Sequence, residues 1–206
     1  MTTRDLFAKY DVPVPRYTSY PPVPQWHDAP RTEDWLQALR TALRPRDASL
    51  AVYVHLPFCE SLCTFCGCNN VITRDHARER PYLDRVTAEL DRYLAAVPEI
   101  AARPLQQVHF GGGTPTFMAP EALGRLAARI IEAMPVRASA FEGGFEADPR
   151  VTSRAHLEAL AERGFRRISM GVQDIDENVQ QLVNRHQPFD LTARLCEDAR
   201  ALGYAS

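Results

Sequence analysis

The chain has 206 residues, 45% of them hydrophobic, with 24 Lys and Arg set against 26 Asp and Glu. That length and apolar content suffice for one ordinary core with a small extra arm, and the near-balance of charge offers no field of one sign to recommend nucleic acid or a membrane surface as partner. The start, MTTRDLFAKYDVPVPRYTSYPP, lacks the apolar stretch of a secretory signal, and no run reaches the roughly eighteen apolar residues of a membrane span, so a cytoplasmic chain is expected.

Residues 1–48 read as an N-terminal arm: much of the proline lies there, followed by one helical pattern in RTEDWLQALRTALRP. From 49 to 206 strands alternate with helices. LAVYVHL is a strand, RPYLDRVTAELDRYLAAV a helix, LQQVHF a strand and APEALGRLAARIIEAM a helix. SAFEGGFEA, SRAHLEALAERG and FRRISMGV continue as strand, helix and strand, with helical residues at 176–182 and 190–202. Such alternation means a parallel sheet with helices outside, either doubly wound or a (β/α) barrel. Strands buried between two helix layers are almost continuously apolar, whereas these alternate. Val52, Val54 and Leu56 oppose Tyr53 and His55; Val108 and Phe110 oppose Gln107 and His109; Glu142, Gly144, Glu146 and Asp148 share one side; Ile168, Met170 and Val172 oppose Ser169, Gly171 and Gln173. The expected fold is therefore α/β, a parallel (β/α) partial barrel with helices on one face and a polar, ligand-filled lumen on the other. A half-exposed sheet is the plainer alternative. Gly203 reads as a helix C-cap and YAS then stops where a fifth strand is due, so the barrel is expected to be cut after about four β/α units.

Four of the five cysteines lie in HLPFCESLCTFCGCNN, directly after the first strand. In a reducing cytosol such a cluster indicates metal ligands or redox groups before disulfides. Cys59, Cys63 and Cys66 have C-x3-C-x2-C spacing; thiolates hold four-iron, four-sulfur clusters, and three of them leave one iron open to a ligand. Zinc, with Cys68 as fourth ligand, and unliganded thiols are the alternatives. Phe65, between two ligands, is placed to shield a cluster or pack on a cofactor. Cys196 stands alone and reads as a half-buried apolar side chain on a helix. HFGGGTPT, residues 109–116, has three glycines that permit close backbone approach; a tight turn explains them equally, and no P-loop lysine follows. Glu146, Asp148, Gln173 and Asp174 fall at C-terminal strand ends, where barrel sites gather, although each carboxylate there also suits a helix cap and Asp148 before Pro149 suits a turn. Arg185 suits bidentate pairing with a carboxylate, or exposure on a helix.

The three-cysteine motif after a first strand resembles the radical S-adenosylmethionine (SAM) enzymes. That resemblance implies that SAM chelates the open iron of a 4Fe-4S cluster through its amino and carboxylate groups, and that an electron from the cluster cleaves it to a 5'-deoxyadenosyl radical. It also implies that Gly112, Gly113 and Thr114 meet the amino group of SAM. Taken together, RYTSYPP, YVHLPFCESLCTFCGCN, HFGGGTPT, FEADPR, RRISMGVQD and QLVNRHQ resemble the oxygen-independent coproporphyrinogen III oxidase family, from about residue 10 onward. The resemblance implies anaerobic haem biosynthesis, in which two propionates of coproporphyrinogen III become vinyls. A radical takes hydrogen from the propionate β-carbon, after which carbon dioxide and an electron leave, so an electron donor and a final acceptor are required. It further implies two SAM molecules, contacted by Tyr53, Phe65, Gly112, Gly113, Thr114, Glu146, Gln173 and Arg185, with Cys68 and Tyr53 as catalytic residues. Arg16 is a candidate for the substrate's propionates. Related haem chaperones, which bind haem without decarboxylation, typically lack the second cysteine of the CGC step, so Cys68 favours the oxidase. A monomer is expected. Because family members run well beyond this length, the 206 residues alone are expected to be inactive.

Overall fold

The computed structural model describes residues 2–11, 22–28, 30–135 and 141–205. The chain divides into two compact units, Met1–Ala38 and Leu39–Ser206. The division falls within a helix, ahead of the boundary expected at residue 48.

The first unit begins with a helix that the sequence reading did not anticipate, α1 (Thr3–Tyr10). Thr2 Oγ1 accepts from the Asp5 N–H at 3.2 Å, and Asp5 Oδ2 accepts from the Thr2 N–H at 2.7 Å. This reciprocal capping box satisfies the Thr2 amide and gives the Asp5 amide, which also donates to the Thr2 carbonyl at 3.0 Å, a second acceptor. Helix α2 (Thr32–Ala42) matches the expected pattern. Arg16 and most of RYTSYPP lie outside the described residues.

In the second unit the main strands are β1 (Leu50–Leu56), β4 (Leu105–Gly112), β5 (Glu142–Ala147) and β6 (Phe165–Met170). A two-residue pair, β2 (Phe58–Cys59) with β3 (Val71–Ile72), lies between the first two. The sheet order β1-β4-β5-β6 follows the chain and every pairing is parallel. A doubly wound sheet reverses direction at a switch point within its strand order, whereas a barrel progresses in one direction. Helix α3 (Glu79–Ala96) joins β1 to β4, α4 (Pro120–Ala133) joins β4 to β5, and α5 (Arg154–Ala161) joins β5 to β6; α6 (Glu177–Leu182) and α7 (Phe189–Ala201) follow.

Register converts the alternation of each strand into layers across the sheet. Val54, Phe110, Phe145 and Ile168 stand side by side, and the next polar level is Tyr53, His109, Gly144 and Arg167. Phe110, Phe145 and Phe165 are fully buried with Leu123 of α4 and Leu157 and Leu160 of α5. Val52 and Val54 share a cavity of about 300 Å³ with Val86 and Leu90 of α3 and Leu126 and Ile130 of α4, so the helices cover the apolar face as expected. Tyr53, Gln107, Arg167 and Ser169 remain exposed on the other face.

Two strand ends differ from expectation. β4 runs two residues further because Gly111 and Gly112 stay in register with His55 and Leu56. β6 stops before Gly171 because the Gly171 carbonyl accepts from Arg185 at 2.9 Å and Gln187 at 3.2 Å instead of extending a ladder. After α7, Gly203 has the positive φ (81°) expected of a C-cap. Beyond it the Ala205 N–H donates to the Arg166 carbonyl at 2.9 Å, beside the outer edge of β6.

Candidate active site

The C-terminal ends of β4, β5 and β6 and the loop after β1 enclose a hollow of about 260 Å³. Its wall contains Cys59, Cys63, Phe65, Cys66, Cys68, Gly112, Gly113, Thr114, Glu146, Gln173 and Arg185. Of the residues singled out from sequence, Tyr53 lies off that wall. It is 57% exposed on the polar face, its ring stacked on His109 at 6.0 Å between centroids and its hydroxyl 3.2 Å from His55 Nδ1. Burial, and then the nearby Glu146 carboxylate, push its hydroxyl pKa above the ordinary value.

The cysteine loop is held at both ends. Where it leaves β1, Val71 N–H donates to the Pro57 carbonyl and Thr73 N–H to the Cys59 carbonyl, each at 2.8 Å, closing the β2–β3 pair. On its far side Thr64 N–H donates to the Val183 carbonyl at 3.1 Å, and Asn184 Nδ2 to the Leu62 carbonyl at 2.6 Å. Asn184 has φ of 53°, the left-handed conformation that asparagine tolerates just past a helix end. That turn ends α6 and points the amide at the loop.

Each of the three spaced thiols has its own polar neighbour. Cys59 Sγ lies 3.2 Å from the buried Thr114 Oγ1, and Cys66 Sγ accepts from Asn70 Nδ2 at 3.5 Å. Cys63 Sγ accepts from Arg150 at 3.6 Å and Arg185 at 3.8 Å. Burial pushes the Cys59 thiol above its ordinary pKa, so a metal cation must displace a proton to be ligated there. Cys68 is exposed at the rim; burial and a hydrogen bond with Cys66 raise it. Among the described residues no three His, Cys, Asp or Glu side chains converge on a single-ion site. The thiols instead stand around one hollow, and soft thiolates with hydrogen-bond donors at the sulfurs are the donor set that an iron–sulfur cluster takes.

The glycines act first through close approach. A Cβ on Gly113 would lie 2.4 Å from the Pro57 carbonyl oxygen and 2.9 Å from Cys59 Sγ, so the strand end and the cysteine loop touch only because it is glycine. Gly112 has φ of 120°, and a Cβ there would meet the His55 imidazole at 2.9 Å. Its N–H points at Glu146 Oε2, 3.0 Å away, and His109 Nε2 is 3.9 Å from the other carboxylate oxygen.

Asp148 is buried and takes the turn role considered for it, together with an arginine pairing that the sequence reading did not suggest. Its Oδ1 accepts from the Arg150 backbone N–H at 3.0 Å in a turn, and its two oxygens grip the Arg150 guanidinium at 2.9 and 2.6 Å. Burial works to raise its pKa, but the Arg150 fork and the Arg185 charge, 3.5 Å away, prevail and hold the carboxyl below its ordinary value. Asp174 does not reach the hollow: its Oδ1 accepts from the Ile175 and Asp176 N–H groups, a turn role. Arg185 is neither helical nor exposed. It lies past α6, tied to Gly171, Gln187 and Asp148. Gln187, 2% exposed, also bonds Gln180 and Thr192, so a buried amide network positions Arg185. Gln173 has φ of 62°, a conformation that costs a non-glycine residue on the order of 1–3 kcal/mol and so marks a constrained loop at the rim. Asn70, Arg150, Asn184 and Gln187 went unassigned in the sequence reading. The Asp-Pro-Arg run was the available signal for Arg150; the amides have no periodic signature.

The hollow at the strand ends, with thiols on one wall and strand-end polar groups on the other, defines a class. The model of the radical SAM superfamily matches residues 53–206, and the chain belongs to that superfamily. Its members use a 4Fe-4S cluster with SAM. More particularly, the chain is 41% identical to an oxygen-independent coproporphyrinogen III oxidase of Pseudomonas aeruginosa, across 98% of this chain and 44% of that protein. It is 39% identical to the Escherichia coli enzyme of the same name, across 98% of this chain and 42% of that protein. A solved structure of coproporphyrinogen III oxidase from Escherichia coli, described as a radical SAM enzyme, superposes with a TM-score of 0.84 at 37% identity, covering 98% of this chain and 43% of the other. The chain thus spans less than half the length of the relatives it matches. No described helix is long and apolar enough to cross a membrane.

Proposed function

We propose that this chain supplies the cluster-and-SAM half of an oxygen-independent coproporphyrinogen III oxidase. Such a cytoplasmic enzyme converts two propionates of coproporphyrinogen III to vinyls, with an electron donor and acceptor still to be identified. The observation that carries the reading is the single hollow at the strand ends, which brings Cys59, Cys63 and Cys66 to the same wall as Gly112, Gly113, Thr114, Glu146, Gln173 and Arg185.

When bound, the cluster and SAM supply the electron and the hydrogen-abstracting radical. The chain's residues bind and orient. Cys59, Cys63 and Cys66 hold the cluster, and Phe65 limits water at its face. Glu146, aimed at the Gly112 N–H, offers a carboxylate to hydroxyl or ammonium groups at the strand end. Gln173 and Arg185 offer donors on the opposite rim. Cys68 and Tyr53 lie toward the lumen, where a substrate carbon would be presented. Two SAM molecules are the number this assignment invokes.

The test is anaerobic reconstitution of the chain with iron and sulfide, followed by electron paramagnetic resonance of the reduced protein with and without SAM. A four-iron signal that changes on adding SAM is expected. A fully loaded cluster indifferent to SAM would overturn the assignment of these rim residues.

A further inference from the structure

Arg150 has no part in the proposed binding of cluster or SAM, yet its guanidinium reaches the cysteine wall. It is 19% exposed and bonds Asp148 through Nε and Nη2, Ser61 Oγ through Nη1 at 3.3 Å, and Cys63 Sγ through Nη2 at 3.6 Å. These bonds fix the guanidinium in the wall of the hollow. Asp148, itself 9% exposed, holds the guanidinium from two sides and fixes where the charge sits. Around Cys63 there are then two arginines and one carboxylate, an excess of one positive charge in a setting that water screens weakly.

We propose that Arg150, held in place by Asp148, is a positioning residue that sets the reduction potential of a cluster ligated by Cys63; this rests on the reading that the three thiols hold such a cluster. Reduction adds a negative charge to the cluster and its sulfurs. A fixed cation with an N–H aimed at one sulfur stabilises that charge more than it stabilises the oxidised form, which raises the potential. The carboxylate beside it opposes the effect in part while keeping the geometry. Charge removal at the two positions therefore shifts the potential in opposite directions.

The experiment is a redox titration of the anaerobically reconstituted chain with dithionite, followed by paramagnetic resonance, with iron and sulfide counted for every protein. Arg150→Gln is expected to keep its iron and to disfavour reduction about tenfold, a fall of about 59 mV for a one-electron couple. Asp148→Asn is expected to move the midpoint upward, because the amide still accepts from Arg150 but no longer offsets its charge. If Arg150→Gln loses its iron, Asp148→Asn decides alone. Unchanged midpoints in loaded variants, or shifts of the same sign in both, would overturn the proposal. Loss of iron from both while the parent keeps it would make the pair a scaffold for the loop and overturn it equally. A parent chain that takes up no iron would overturn the underlying reading as well, so the two failures are told apart by the parent alone.

Discussion

On the helix side of the sheet the side chains answer to one another. Phe110 and Phe165 lie 5.1 Å apart between ring centroids, Phe145 meets the Tyr204 ring at 6.0 Å, and none of the three phenylalanines touches water. On the lumen side of the same strands Tyr53, His109, Glu142, Glu146 and Arg167 keep polar atoms in reach of solvent. Because successive strand residues point to opposite faces, a single chain carries stability at one parity and chemistry at the other. Substitutions on the helix face should therefore move stability without moving metal binding, and substitutions at the thiol wall should do the reverse.

The largest effect is expected at the three cysteines proposed to hold the cluster. Alanine at Cys59, Cys63 or Cys66 should reduce iron uptake to background, read from visible absorbance after anaerobic reconstitution, while the far-ultraviolet circular dichroism of the apo chain stays the same. Cys68→Ser should retain its iron. Next, Phe145→Ala empties the middle of the helix face and should cost about 3–5 kcal/mol in denaturant unfolding, with iron per folded chain unchanged. A parallel drop in iron per folded chain would break the separation of the faces. Gly113→Ala lies where the two meet. Its methyl group would collide with the Pro57 carbonyl and Cys59 Sγ, so a loss of about 1–3 kcal/mol should come together with weaker iron uptake. Full stability with full loading would mean that the loop gives way freely.

The smallest effect concerns pH. His156 is buried in α5, its Nδ1 accepting from the Ser153 N–H at 3.0 Å and its Nε2 donating to the Met118 carbonyl at 3.0 Å. Burial lowers its pKa below the ordinary 6.5, so between the two values the unfolded chain binds the proton more readily than the folded one. The contribution to stability is complete above about pH 6.5 and is lost as the pH falls through the folded value. His156→Gln should flatten the fall in unfolding free energy below that pH; an unchanged slope would place the proton elsewhere.

How far the sequence could be read follows the same division. Period-two alternation announced both faces of β1 and β4, because each strand residue carries its own orientation whatever its neighbours are. Cys59, Cys63 and Cys66 could be singled out because their spacing is local, and the structure brings them to one hollow. Their polar neighbours could not be: Arg150 at Cys63 Sγ and the Asn184 amide at the Leu62 carbonyl acquire meaning only when the chain has returned to the loop, and Asn70, four residues from Cys66, carries no pattern that marks it as a donor. Helix α1 was missed for another reason. Its capping box rests on a Thr-to-Asp pair in a segment whose many following prolines suggested an extended arm.

The clasp on the cysteine loop has a bearing on the order of assembly. Thr114 lies 55 positions from Cys59, Arg150 87 from Cys63, and Arg185 and Asn184 122 from Cys63 and Leu62. Contacts so distant along the chain form only after the intervening loops have closed, and that closure carries its entropic cost before any of them is made. Cys59 and Cys63 therefore acquire these partners late in folding, whereas Cys66 has Asn70 within its own loop from the start.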